Sequence, residues 1–122
     1  MPAGKRDGRD SQYEAPGRLA GRRTVGELFR EGKRLHGKNL TLIYRSNPDG
    51  ISRCAVFTPK KLGGAVRRNR TRRVLRETVR RQPHPALRGK DTIILCKRPL
   101  DEDFAASASI ELIELLDRLA GN

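Results

Sequence analysis

The chain has 122 residues, 35% of them hydrophobic, 4% aromatic and 34% charged, with a formal net charge of +13; that is enough chain for one domain. No apolar run nears the roughly 20 residues that span a membrane, the N-terminus lacks the apolar core of a secretory signal, and two cysteines cannot make a disulfide framework, so a reducing cytoplasm is the compartment expected. Residues 60–81 hold ten bases and one acid, whereas residues 101–122 carry a net charge of −5, and a segment that positive repels itself until a polyanion neutralises it, nucleic acid first and an anionic membrane surface second.

Residues 1–17 are rich in Gly, Pro, Ser and balanced charge, with Tyr13 the one residue able to anchor them. They read as a disordered tail, which leaves 18–122 as a single domain. All 28 Leu, Ile, Val and Phe residues lie between Leu19 and Leu119, so the core must come from that stretch. Thr24 followed by Glu27 has capping-box spacing. Val25, Leu28 and Phe29 then share one helical face, and Gly32 ends the helix as a C′ residue. Arg34-Leu35-His36 can form a short strand. Leu40 to Arg45 alternates, with Leu40, Leu42 and Tyr44 on one side and Thr41, Ile43 and Arg45 on the other, which is strand periodicity. Asn47-Pro48-Asp49-Gly50 is a turn, and Ile51 to Thr58 reads as the antiparallel partner strand. Ala65 to Arg81 contains no Gly or Pro and is allowed a long helix, stopped by Gln82-Pro83-His84-Pro85. Asp91 to Lys97 suits a buried strand. Asp101 to Leu119 reads as a final helix with Ala105, Ala108, Leu112, Leu115, Leu116 and Leu119 as its apolar stripe and acids at its start. The order α-β-β-β-α-β-α makes an α/β protein of the α+β kind, a two-layer sandwich of helices on a small sheet.

Advancing 100° per residue from Ala65 gathers Thr71, Val74, Leu75, Thr78 and Val79 on one side of the long helix. Asn69, Arg70, Arg72, Arg73, Arg76 and Arg80 gather on the other. A merely solvated face would be balanced by acids at i, i+4, and Glu77 is the only one present. Arginine's planar fork matches phosphate and stacks on bases. A DNA recognition helix would usually sit in a helix-turn-helix, which the flanking strands do not supply; nucleic acid is the partner expected, and this counts against DNA.

The run Lys60-Lys61-Leu62-Gly63-Gly64-Ala65-Val66-Arg67-Arg68-Asn69-Arg70-Thr71-Arg72-Arg73-Val74-Leu75-Arg76-Glu77 resembles the signature of the bacterial ribonuclease P protein family: a Lys-Lys-apolar-Gly loop, Ala-Val, an Arg-Asn-Arg triplet, then paired bases. Leu28-Phe29 with Gly32, the strand around Leu40–Tyr44 and the two closing elements fall where the family has its own. The resemblance implies a cytoplasmic subunit of a ribonucleoprotein whose large RNA cleaves precursor tRNA at its 5′ end with magnesium bound mainly by that RNA. It implies contacts to the catalytic RNA from Lys60, Lys61, Arg67, Arg68, Asn69, Arg70, Arg72, Arg73 and Arg76. It also implies a cleft for the single-stranded 5′ leader, for which the candidates are Phe29, Ile43, Tyr44, Arg45 and Phe57, and a left-handed strand–helix–strand crossover against the general rule. The chain departs from the family at Val25 and Ile43, where aromatics are usual, at Phe57, where a small residue is common, and at Pro59, where serine is.

Other chemistries have less behind them. His36 and His84 could form an acid–base pair in a self-sufficient nuclease, but nothing in the sequence brings them together. Cys54 and Cys96 each fall in a predicted strand as buried thiols, without the spacing of a metal site. Lys60-Lys61-Leu62-Gly63-Gly64 lacks the Walker pattern. A structural RNA-binding protein such as a ribosomal component would explain charge and size, but not the 18-residue run.

Overall fold

The computed structural model describes residues 16–98 and 102–121. Ten elements follow in chain order: β1 (Gly17–Arg18), α1 (Arg22–Glu31), β2 (Lys33–His36), β3 (Leu40–Ser46), β4 (Arg53–Phe57), a 3₁₀ turn (Lys60–Leu62), α2 (Ala65–Arg81), a second 3₁₀ turn (Pro85–Leu87), β5 (Lys90–Cys96) and α3 (Glu102–Gly121). The strands form one sheet in the order β1-β4-β5-β3-β2. The α+β sandwich expected from the sequence is thus the fold found.

The expected hairpin is not. β4 does not pair with β3; β5 lies between them, antiparallel to β3 from Leu40↔Cys96 to Ser46↔Lys90 and parallel to β4 from Arg53↔Asp91 to Phe57↔Leu95. The reason is burial. β5 carries Ile93 and Leu95 on one side and Ile94 and Cys96 on the other, and a strand apolar on both faces belongs in the middle of a sheet. The Asn47–Gly50 turn bridges to the chain entering β5 instead. The Asn47 N–H donates to the Gly89 carbonyl at 2.9 Å, and Asn47 Nδ2 donates to Asp91 Oδ1 at 3.1 Å.

Strand alternation divides the core in two. Leu40, Leu42, Val56, Ile94 and Cys96 face α2 and α3 together with Leu75, Val79, Ala108, Leu112, Leu115, Leu116 and Leu119. On the other face Ile43 and Ile93 pack beneath Leu28 of α1 and Leu19. The stripe read for the last helix is therefore its buried face, apart from Ala105, whose side chain is outside the described residues, as are the side chains of the acids at its start.

α1 begins two residues before Thr24. Gly21, at φ 102°, occupies the cap position with no side-chain cap, and Glu27 turns to Arg23 and Arg45 rather than back to the helix start. Gly32 does end α1, but at φ −69°. A Cβ there would lie 2.7 Å from the Leu28 carbonyl oxygen and 2.9 Å from Ile43 Cγ2, so glycine is required by close packing and not by a left-handed backbone. Gly17, the last residue of the expected tail, belongs to β1, where its N–H donates to the Ser52 carbonyl; residues 1–15 are outside the described part.

Candidate RNA interface

α2 spans Ala65–Arg81 with Thr71, Leu75 and Val79 buried, the inner face read from the angles. Thr71 and Thr78 donate their hydroxyls to the carbonyls of Arg67 and Val74, four residues back, which satisfies these polar groups in a packed interface. Thr78 Oγ1 also lies 2.8 Å from Ser109 Oγ of α3. The outer face is left to its bases. Glu77 accepts from Nε and Nη2 of Arg80 and from Nε of Arg81. The bond from Arg80, ahead of the charge of Arg80 and the pairing with Arg81, holds the Glu77 carboxyl below its ordinary range. No carboxylate of the described residues reaches Arg67, Arg73 or Arg76.

Two arginines of the motif shape the surface itself. Arg68 Nε donates to the Gly63 carbonyl at 3.1 Å, tying the helix start to the glycine loop. Arg72 donates to Thr58 Oγ1 at 2.8 Å and to Asn69 Oδ1. The asparagine of the triplet thus orients a guanidinium one turn on, a task no reading of charge alone reveals. Lys60 and Lys61 stand exposed on the 3₁₀ turn before α2. All nine residues expected to meet the catalytic RNA therefore lie on α2 and the turn before it, with Arg72 and Arg76 on the side that overlooks β4.

The five leader candidates do not converge in the same way. Phe29 of α1 and Phe57 of β4 meet edge to face, with ring centroids 5.3 Å apart and planes at 86°. Both rings are half-buried, and with Val25, Ala55 and Leu95 they border the core beneath α1. Leu95 and Ala55 were missed from the sequence, although alternation from Ile93 and from Phe57 places them on this face. Ile43 is fully buried and has no surface to offer; it sits under Leu28 and Gly32, which is why an aliphatic side chain serves there. Tyr44 points to the opposite face, packed against the α2–α3 core, because adjacent strand residues alternate. Arg45 is on the cleft side but lies 3.4 Å from Glu27 and 3.6 Å from Glu31, so α1 already engages its charge.

The histidines do not meet. His36 Nδ1 pairs with Thr41 Oγ1. His84 accepts the Ala86 N–H at Nδ1, so its proton sits on Nε2, facing Asp117 at 2.8 Å. Cys54 and Cys96 are free thiols, each pushed up to about 12 by burial. No helix of the described residues is long and apolar enough to cross a membrane.

A family model described as Ribonuclease P matches residues 14–120. The chain belongs to the ribonuclease P protein family. It is 32% identical over 108 residues to the ribonuclease P protein component of Thermotoga maritima, an alignment covering 85% of this chain and 92% of that one. It is 35% identical over 96 residues to the component of Desulfotalea psychrophila, covering 77% and 75%. The solved ribonuclease P protein from Thermotoga maritima superposes with a TM-score of 0.69 at 28% identity, covering 83% of this chain and 96% of that one. The Staphylococcus aureus ribonuclease P protein does so with a TM-score of 0.71 at 22% identity, covering 82% and 92%, a likeness of fold. Membership in the ribonuclease P family makes the chain a protein subunit of that ribonucleoprotein, with RNA binding and tRNA 5′ processing as its role.

Proposed function

We propose that two surfaces divide the work. The outer face of α2, with Lys60 and Lys61, docks on the catalytic RNA. The cleft bordered by Phe29, Phe57, Val25, Ala55 and Leu95 receives the single-stranded 5′ leader of precursor tRNA. The observation that carries the first assignment is that no carboxylate among the described residues is within reach of Arg67, Arg73 or Arg76, on a helix whose inner face is packed. Guanidinium groups in that state are ready to bind phosphate without first breaking an ion pair. The edge-to-face pair supports the second, since half-exposed rings offer a stacking platform to an unpaired base.

On this reading the protein contributes charge neutralisation and positioning, and the cut belongs to the RNA. Magnesium is assigned to the catalytic RNA. Among the described residues no group of three His, Cys, Asp or Glu is placed to hold a metal ion. The cytoplasm, where precursor tRNA is made, is the compartment the reading requires, and neither DNA nor a membrane is among its partners.

The test is a double variant, Arg67→Ala with Arg73→Ala. Both side chains are exposed, so the melting temperature should hold while affinity for the cognate catalytic RNA falls roughly tenfold or more. Unchanged affinity would remove α2 from the interface. Cleavage of precursor tRNA by that RNA at low magnesium, with and without the protein, checks the function as a whole.

A further inference from the structure

On α2, Arg72, Arg76 and Arg80 recur every fourth residue and so stand in one row. The row follows the sheet's outer edge. Arg72 reaches Thr58, just past the end of β4. Arg76 and Arg80 line a pocket of about 340 Å³ between α2 and the β1–β4 edge, across from Arg18 of β1. Arg18 and Cys54 are paired residues of adjacent strands, so their side chains lie on the same face of the sheet. The floor of the pocket is apolar, made by Val56, Val79 and Cys54. Glu77 holds Arg80, whereas Arg18 and Arg76 have no hydrogen-bond or ion-pair partner among the described residues.

An apolar floor beneath two unpartnered guanidinium groups is matched by a flat ring carrying a phosphate. We propose that this edge pocket binds one unpaired nucleotide of RNA, base on the Val56–Val79 floor and phosphate between Arg18 and Arg76. It adjoins the outer face of α2, with which it shares Arg76, and is separate from the cleft under α1. The proposal rests on the chain being an RNA-binding subunit. It adds Arg18, far from the basic segment in sequence, to the residues that touch RNA. The nucleotide could come from the catalytic RNA or from the leader, and the experiment separates them.

The full chain, methyl-labelled at valine, is titrated with pentauridylate and separately with inorganic phosphate while the Val56 and Val79 resonances are followed. Pentauridylate should move both, and phosphate at the same concentration should not. Arg18→Ala and Arg76→Ala should each weaken that response roughly tenfold or more at unchanged melting temperature, since both side chains are exposed. Motionless methyls, equal shifts with phosphate, or variants that respond like the parent would each overturn the pocket. Repeating the titration with catalytic RNA, leader-bearing precursor tRNA and mature tRNA finds the source. A shift with catalytic RNA alone assigns the nucleotide to it; a shift with precursor but not mature tRNA assigns it to the leader. If RNA binds while Val56 and Val79 stay still, the pocket fails alone. If none of these RNAs binds, the reading of the chain as an RNA-binding subunit fails.

Discussion

Phe57 shows how one side chain can be both core and contact. Its ring is packed under α1 against Phe29, yet the residue is only partly buried. Phe57→Ala should therefore cost stability, and it should also weaken binding of precursor tRNA with a leader of several nucleotides by about 1–3 kcal/mol. Binding of mature tRNA, which has no leader to stack, should not change. The comparison of the two affinities, variant against parent, separates the effects, and an unchanged ratio would leave Phe57 a packing residue. Tyr44→Ala should leave that ratio alone, because Tyr44 lies on the other face of the sheet. The thiols give a second check at this scale. Burial raises both Cys54 and Cys96 from 9.0 to about 12, so both should resist iodoacetamide in the folded protein near pH 8 and react on unfolding. A group whose folded pKa is raised adds its stability below its unfolded value and loses it as pH climbs toward the folded one. The thiol contribution is thus complete below about pH 9 and fades from there toward pH 12.

At the scale of elements, one carboxylate ties α3 to the turn that joins two strands of the sheet. Glu111 accepts the N–H groups of Asn39 and Leu40 at 2.8 and 2.9 Å and the Asn39 side-chain amide at 2.9 Å, which closes the turn between β2 and β3. Glu111→Ala should lower the free energy of unfolding in urea by about 2–4 kcal/mol, the cost of stranding these donors, and Glu111→Gln should restore part of it. The elements themselves were legible wherever one periodicity ruled. α2 was bounded correctly because Gly64 and Pro83 bracket an uninterrupted run, and its inner face followed from angle alone. The alternation in Leu40–Arg45 correctly set Tyr44 and Ile43 on opposite faces. Strand order was not legible, since the turn at Asn47–Gly50 fits a hairpin and only β5, coming much later, has the two apolar faces that claim the centre. Nor was the start of α1, where Gly21 caps by backbone and the tempting Thr24–Glu27 pair is used otherwise. In the site, residue type announced the bases of α2. The roles of Asn69 and Arg18 depend on neighbours distant or turned in ways that no linear pattern records.

Over the whole molecule, charge is segregated, with the bases of α2 and its preceding turn at one extreme and the net-negative C-terminal stretch at the other. Binding to catalytic RNA should depend steeply on salt. If six or more phosphates are neutralised, affinity should fall roughly a thousandfold or more between about 50 and 200 mM salt. A filter-binding series would check this, and a flat response would mean that α2 does not meet phosphate. The order of the sheet has a further consequence, for the life of the chain before it is a protein. β5 is the middle strand, yet translation reaches it only after β1 to β4 and the whole basic helix have been made. Until Lys90–Cys96 leaves the ribosome, β3 and β4 have no neighbour between them to join, and distant pairings of this kind are slow to form. The nascent chain thus presents its most cationic stretch, without the sheet that will hold it, to the RNA-rich surface on which it is being synthesised. Its core closes only once β5 has been made.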